Sequence, residues 1–274
     1  MKVIKTETGY ELVKEEFDLN QHKNSYDDWI KAFEIAISNY AQYFRKVFIG
    51  LSSGYDSGCI ACELTKQGVD FKAYSIVGDE NTNTLLERHD RLFRTELIFL
   101  QKTRYDSMRD WIQKLPDYKY IDKHGTYNYK KDKAGPGFSE ICFKAMTEGM
   151  DISISGGGCD EIISDYAING KKRYKISNFS GIFPEDLSTI YPWHNFYNGT
   201  QVKFLNKEEH IARSWNVKTF YPYLDHDVIQ EYLWLKAELK NRHYKAPLRE
   251  YFIRNNFPFE EDKKKGFNSS ANLV

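Results

Sequence analysis

Between Asp27 and Phe44 the apolar residues Trp29, Ile30, Phe33, Ile37, Tyr40 and Phe44 recur every three or four positions, the spacing of one helix face. Ser25 or Asp27 can cap that helix. The period then shortens. Val47-Phe48-Ile49-Gly50-Leu51 is a compact apolar run that reads as a strand, and Ile60, Ala61 and Leu64 resume helical spacing after a break of small residues. Phe71–Val77 reads as a second strand after the turn at Gly68, Thr84–Phe93 as helix, and Glu96–Leu100 as a third strand. This β-α-β-α-β alternation predicts an α/β fold, a doubly wound parallel sheet with helices on both faces.

Further along, helix is expected at Ser107–Lys114, a turn at Gly135-Pro136-Gly137, helix at Ser139–Thr147 and strand at Asp151–Ile154. Ser164 to Phe204 is rich in Gly, Pro, Asn and aromatic residues and reads as ordered loops with short helices. Glu208–Trp215, Val228–Leu235 and Pro247–Asn255 read as C-terminal helices, and Tyr10–Val13 as a short early strand. Residues 1–26 are set apart as an N-terminal extension and 27–274 as one domain, with no linker that calls for a further cut.

Two breaks in the pattern carry candidate chemistry. Ser52-Ser53-Gly54-Tyr55-Asp56-Ser57-Gly58 joins a strand to a helix, so backbone N–H groups and a helix dipole converge on one turn, an arrangement that favours phosphate. A carboxylate at Asp56 would repel bound phosphates unless a hard cation such as Mg2+ lies between them. No G-K-[ST] follows, so this is not a Walker-type loop. The plainer reading is a serine-rich turn capping a helix. Ile152 to Tyr166, ISISGGGCDEIISDY, repeats the logic: a strand ends in glycines, and Asp160 and Glu161 begin a helix. Ligands of open α/β sheets bind beyond the carboxyl ends of strands at the switch point. On neighbouring strands, the two loops would face one pocket, with Asp56 and Asp160 sharing one metal ion.

Composition narrows the field. The 274 residues carry 39 basic and 39 acidic side chains, so no basic excess calls for nucleic acid or an anionic membrane. No apolar run reaches membrane-spanning length, and the polar N-terminus is no signal peptide. Cys59, Cys62, Cys142 and Cys159 suit a reduced, cytoplasmic protein. Cys59 and Cys62 form a C-x2-C, but no second ligand pair accompanies them.

The first loop resembles the SGGxDS pyrophosphate loop of the N-type ATP pyrophosphatases. Ser155 to Glu161 resembles the SGEGSDE segment of the synthetase domain of asparagine synthetases. Tyr221-Pro222-Tyr223-Leu224-Asp225-His226 resembles that family's VPFLDH, Tyr244 to Arg249 its K-x-x-L-R, and Lys263-Lys264-Lys265-Gly266-Phe267 its closing K-K-x-G-F. All occur in the family's order. The resemblance implies an adenine nucleotide alpha hydrolase-like (HUP type) sheet with ATP and Mg2+ as cofactors. It implies a nucleotide held by Leu51, Ser52, Ser53, Gly54, Tyr55, Asp56 and Ser57, with Ile76, Ser155, Gly156 and Gly157 beside it. Asp56 and Asp160 match the metal ligands, Lys264 the lysine that stabilises adenylation, and Asp225 and Glu161 are further catalytic candidates.

Three departures qualify the match. Ser53 replaces a glycine. Gly157 replaces the glutamate of SGE, a group near the acyl intermediate; glycine leaves room that suits a larger carboxylate or an amine needing less help, the alternative being that Glu161, Glu80 or Asp225 restores the function. The family's glutaminase domain needs an N-terminal cysteine, and this chain begins Met1-Lys2. The expected activity is therefore a ligase that adenylates a small-molecule carboxylate and passes it to ammonia or an amine, a separate glutaminase subunit being one possible source. The alternatives are a nucleic-acid-modifying ATP pyrophosphatase and a non-catalytic nucleotide-binding subunit.

Overall fold

The strand Val47–Gly50 (β3) shows how the sheet is built, because its successive side chains enter different cores. The computed structural model of the protein describes residues 2–6, 9–13, 16–41, 46–115, 132–263 and 267–274. An antiparallel pair, Lys2–Thr6 (β1) with Gly9–Val13 (β2), precedes the helix Asp27–Ala41 (α1). After β3 come Tyr55–Lys66 (α2), Phe71–Ile76 (β4), Thr82–Arg91 (α3), Thr95–Ile98 (β5), Lys102–Gln113 (α4) and Gly135–Thr147 (α5). Then follow Ile152–Ile154 (β6), Cys159–Ile163 (α6) and the small pair Ala167–Ile168 (β7) and Lys171–Lys172 (β8). Gly199–Ser214 (α7), Lys218–Phe220 (β9), His226–Trp234 (α8), Ala237–Asn241 (α9) and Ala246–Arg254 (α10) follow, with single 3-10 turns at Leu187–Thr189 and Pro222–Leu224.

Five strands form one parallel sheet in the order β5-β4-β3-β6-β9. Val47 and Ile49 join the core made with α1, α2, α8 and α10 through Phe33, Ile60, Ile229 and Leu248. Phe48, between them, points to the opposite core with Tyr105 of α4, Ile141 and Ala145 of α5 and Ala212 of α7. Both faces of the central strand are thus buried, as in doubly wound sheets. Fully burying a side chain such as Phe48 contributes about 1.5–3 kcal/mol. From β3 the chain winds outward through β4 and β5, and it returns to the other side at β6 and β9. The switch point therefore lies between β3 and β6.

Several boundaries differ from the sequence reading. The Gly135-Pro136-Gly137 turn is the first turn of α5: Pro136 suits a helix start, and Asp132 Oδ1 accepts from the N–H groups of Ala134 (3.1 Å) and Gly135 (3.0 Å). The helix α7 begins at Gly199, well before Glu208, with Asn198 as its cap. Phe93 lies outside α3 and is fully exposed. The strand β9 has no counterpart in the reading, since Lys-Thr-Phe offers no apolar run. Residues 16–26 run against α8, where Asp18 N–H donates to Gln230 and Lys23 N–H to Trp234 O. Phe44 and Lys264 lie outside the described residues.

Candidate functional site

The loops after β3 and β6 sit side by side at the switch point and floor a cleft of about 1260 Å3. Leu51, Ser52, Gly54, Tyr55, Asp56 and Ser57 line it from the first loop, and Ser155, Gly156, Gly157 and Asp160 from the second. Ile76, at the end of β4, completes one wall. The two loops touch so closely that a Cβ at Gly156 would stand 2.6 Å from Asp56 Cβ. Only glycine allows that approach.

The first loop is held from below. Ser52 and Ser57 share a hydroxyl–hydroxyl bond of 2.9 Å, Ser52 N–H donates to Ser57 Oγ (3.0 Å), and Gly54 N–H donates to Ser52 Oγ (3.1 Å). Ser53 turns away from the cleft, where its N–H and hydroxyl both donate to Glu80. Arg88 of α3 is wholly buried behind the loop and donates to Ser52 O (2.5 Å), Gly54 O (2.8 Å) and Pro258 O (2.9 Å). Burial pulls its guanidinium down to about 10, so it stays charged at neutral pH. Gly54 opens α2 with no side-chain cap, so the free N–H end of this twelve-residue helix meets the cleft.

Lys245 is the centre of the site. Its side chain is 1 % exposed, and its ammonium binds Asp56 Oδ1 and, at 2.7 Å, Asp160 Oδ1. Burial works against the ammonium, but Asp160 and Asp56 outweigh it and hold the charged form well above the usual lysine range. Tyr244 Oη donates to the same Asp160 oxygen at 3.4 Å. Lys245 itself has φ 47° and ψ 51°, a left-handed conformation that costs a non-glycine residue about 1–3 kcal/mol. Asp56 and Asp160, expected to share one Mg2+, stand together, and the cation between them is the Lys245 ammonium. Two carboxylate oxygens meeting at one point of the cleft floor also suit Mg2+, which takes one or two carboxylates and draws its other oxygens from phosphate and water. Among the described residues no cluster of three or more metal-ligating side chains exists.

Not every expected residue lies here. Asp225 accepts from Asp227 N–H (3.0 Å) as the N-cap of α8, and it does not line the cleft. Glu161 is buried, with its carboxyl taking the Tyr166 hydroxyl, and it too lies outside the cleft lining. Glu80 is committed to Ser53. Gly157, expected to leave room, faces an occupied space: a Cβ there would meet the Tyr221 ring at 3.0 Å and Glu208 Oε2 at 3.2 Å. Lys264 lies outside the described residues, next to Lys263, whose exposed ammonium pairs with Glu260 at the cleft mouth.

The sequence reading gave no role in the site to Lys245, Arg88 or Glu208. Each left a signal. Lys245 sits in the K-x-x-L-R match, while Arg88 and Glu208 are charges set within apolar helical stripes, Leu85–Arg88–Leu92 and Phe204–Glu208–Ile211. Cys59 and Cys62 are buried thiols in α2, Cys142 in α5 and Cys159 at the start of α6, all unpaired. Burial pushes Cys62 up to about 12 and holds the other three thiols well above the usual cysteine range.

The fold and the cleft define an open α/β protein with a polar, cation-centred site at its switch point. No family profile and no curated protein matches the chain. Among solved structures it is similar to an NMN synthetase from Francisella tularensis, at 12 % identity and a TM-score of 0.38, over 89 % of this chain and 100 % of that one. Likeness at that level carries nothing about substrate, and the fold rests on its own strand order. No helix among the described residues is long and apolar enough to cross a membrane.

Proposed function

We propose that the protein is an ATP-dependent, AMP-forming ligase that activates a carboxylate as its acyl-adenylate and transfers the acyl group to ammonia or an amine. The observation that carries this reading is the meeting of Asp56 and Asp160, from two separate glycine loops, on one cation at the floor of the cleft. Asp56 and Asp160 would hold Mg2+, which when bound neutralises phosphate oxygens. The chain's own groups do the rest. Ser52, Ser57 and the uncapped start of α2 offer donors to pyrophosphate. Lys245 supplies positive charge where phosphate charge develops, and the matching role of Lys264 belongs to the same proposal. The cleft is also lined by Lys133, Arg173, Lys175, Lys203 and Lys207, which suits two anionic substrates. Ammonia would come from solution or from a separate glutaminase.

Pyrophosphate–ATP exchange, screened over amino acids and other small carboxylates, tests the proposal. Turnover should give AMP and pyrophosphate, and Asp56→Asn or Asp160→Asn should abolish exchange while the far-ultraviolet circular dichroism stays unchanged. ADP as product would refute it.

A second reading, ATP-dependent modification of a nucleic acid, has one observation in its favour. Arg173, Lys175 and the exposed Tyr174 stand together at the cleft rim. Salt-sensitive retention of RNA would support that reading over a small-molecule acceptor.

A further inference from the structure

We infer that Glu208 is the acid–base group for the incoming amine, standing in space where Gly157 supplies no side chain. The inference rests on the amide-forming reading above. The helix α7 presents Thr200, Phe204, Glu208 and Ile211 to the cleft, a spacing of four, four and three that places them on one face. Glu208 is half-buried, and its Oε2 would lie 3.2 Å from a Cβ at position 157, so the carboxyl occupies the volume that a side chain from the second loop would enter.

The carboxyl lies against the second loop. Ser155 Oγ accepts the Gly157 N–H at 3.0 Å, and the nearby Ser155 hydroxyl favours the charged form of Glu208. These neighbours place the carboxyl beside the loop that carries Asp160. The charged and titratable groups facing it are Lys207 and Glu209 of α7, Tyr221 before the short helix at 222–224, and Cys142 of α5. Lys207 is engaged with Asp132 at 3.2 Å. Burial raises Glu208 to about 7, against the pull of Ser155 and Lys207 and with a push from Glu209. A carboxylate poised there can take a proton at neutral pH.

The step balances as follows. The amine nitrogen attacks the acyl carbon and forms the C–N bond, and its extra proton passes to the Glu208 carboxylate. The bond from the acyl carbon to the AMP oxygen breaks, AMP departs with the electron pair, and the carbonyl re-forms. Glu208 then returns the proton to water.

The test uses the full-length chain and its Glu208→Gln variant, with a carboxylate identified by pyrophosphate–ATP exchange in the wild type. Exchange should survive in the variant within a few-fold. Amide formation from ammonium should fall about 10²- to 10⁴-fold. Hydroxylamine, which is neutral near pH 7 and a strong nucleophile, should still trap the acyl group at close to the wild-type rate. Below about pH 7 the wild-type carboxyl is protonated, so its advantage over the variant should shrink as pH falls, whatever the amine's own titration does. Glu208→Asp should restore part of the rate. Equal loss of exchange and amide formation would show a structural role, and unchanged amide formation would show none. Either overturns the inference while the ligase reading stands. A wild-type protein with no exchange on any carboxylate overturns both.

Discussion

Lys245→Met removes the cation that two carboxylates share and leaves the side chain's length nearly unchanged. The left-handed backbone at this residue is equally strained for either side chain, so the difference reports the charge. Breaking a buried ion pair by deleting one partner costs about 3–5 kcal/mol, because the remaining charge is left without compensation. Asp56 and Asp160 keep side-chain exposures of 22 % and 16 %, so water recovers part of that loss. We expect the lower end, about 3 kcal/mol. At about 2–4 °C per kcal/mol for a chain of this size, the melting temperature should fall by about 6–12 °C. One further arm isolates the cause. Millimolar Mg2+ should raise the variant's melting temperature more than the wild type's, since a ligand that binds only the folded state stabilises by mass action. A variant within about 1 kcal/mol of the wild type, with or without Mg2+, would refute this account, since an exposed ion pair contributes no more than that.

Gly156→Ala would place a Cβ 2.6 Å from Asp56 Cβ and push the two loops apart. A displacement on the order of 1 Å can cost about 10²-fold in rate, so exchange should drop by about that factor while the fold persists. Asp225→Ala removes an N-cap from α8 and should cost about 1 kcal/mol in urea denaturation, with exchange unchanged. Loss of exchange there would return Asp225 to the site.

The sequence made the scaffold of this protein legible because β3 and β4 are apolar runs bounded by small residues, and both glycine loops follow strands. The same strand-loop-helix logic brings Asp56 and Asp160 together. What it missed has a common physical origin. Lys245 and Arg88 are charges held inside the protein and Glu208 a half-buried one at the cleft, and a charge in a helical stripe reads as a solvated face until its partners are known. Lys245 has its partners far away in the chain, at Asp56 and Asp160, and Arg88 has backbone carbonyls that no residue type announces. Asp225 shows the opposite case: its carboxylate accepts a local capping bond from Asp227 N–H, which a motif match to the cleft does not reveal. The strand β9 escaped notice because parallel pairing with β6, not its own three residues, makes it a strand.

The four buried thiols give the molecule an internal clock for its own openings. Cys59 and Cys62 lie in the core on one side of the sheet, Cys142 in the core on the other, and Cys159 beneath the second loop. As protonated, shielded groups they are inert to alkylating reagents while the structure is closed. Each reaction therefore counts one excursion of the surrounding layer into solvent. Mass spectrometry of partly alkylated protein would resolve whether the two layers open together or separately, and whether nucleotide silences Cys159 before the others.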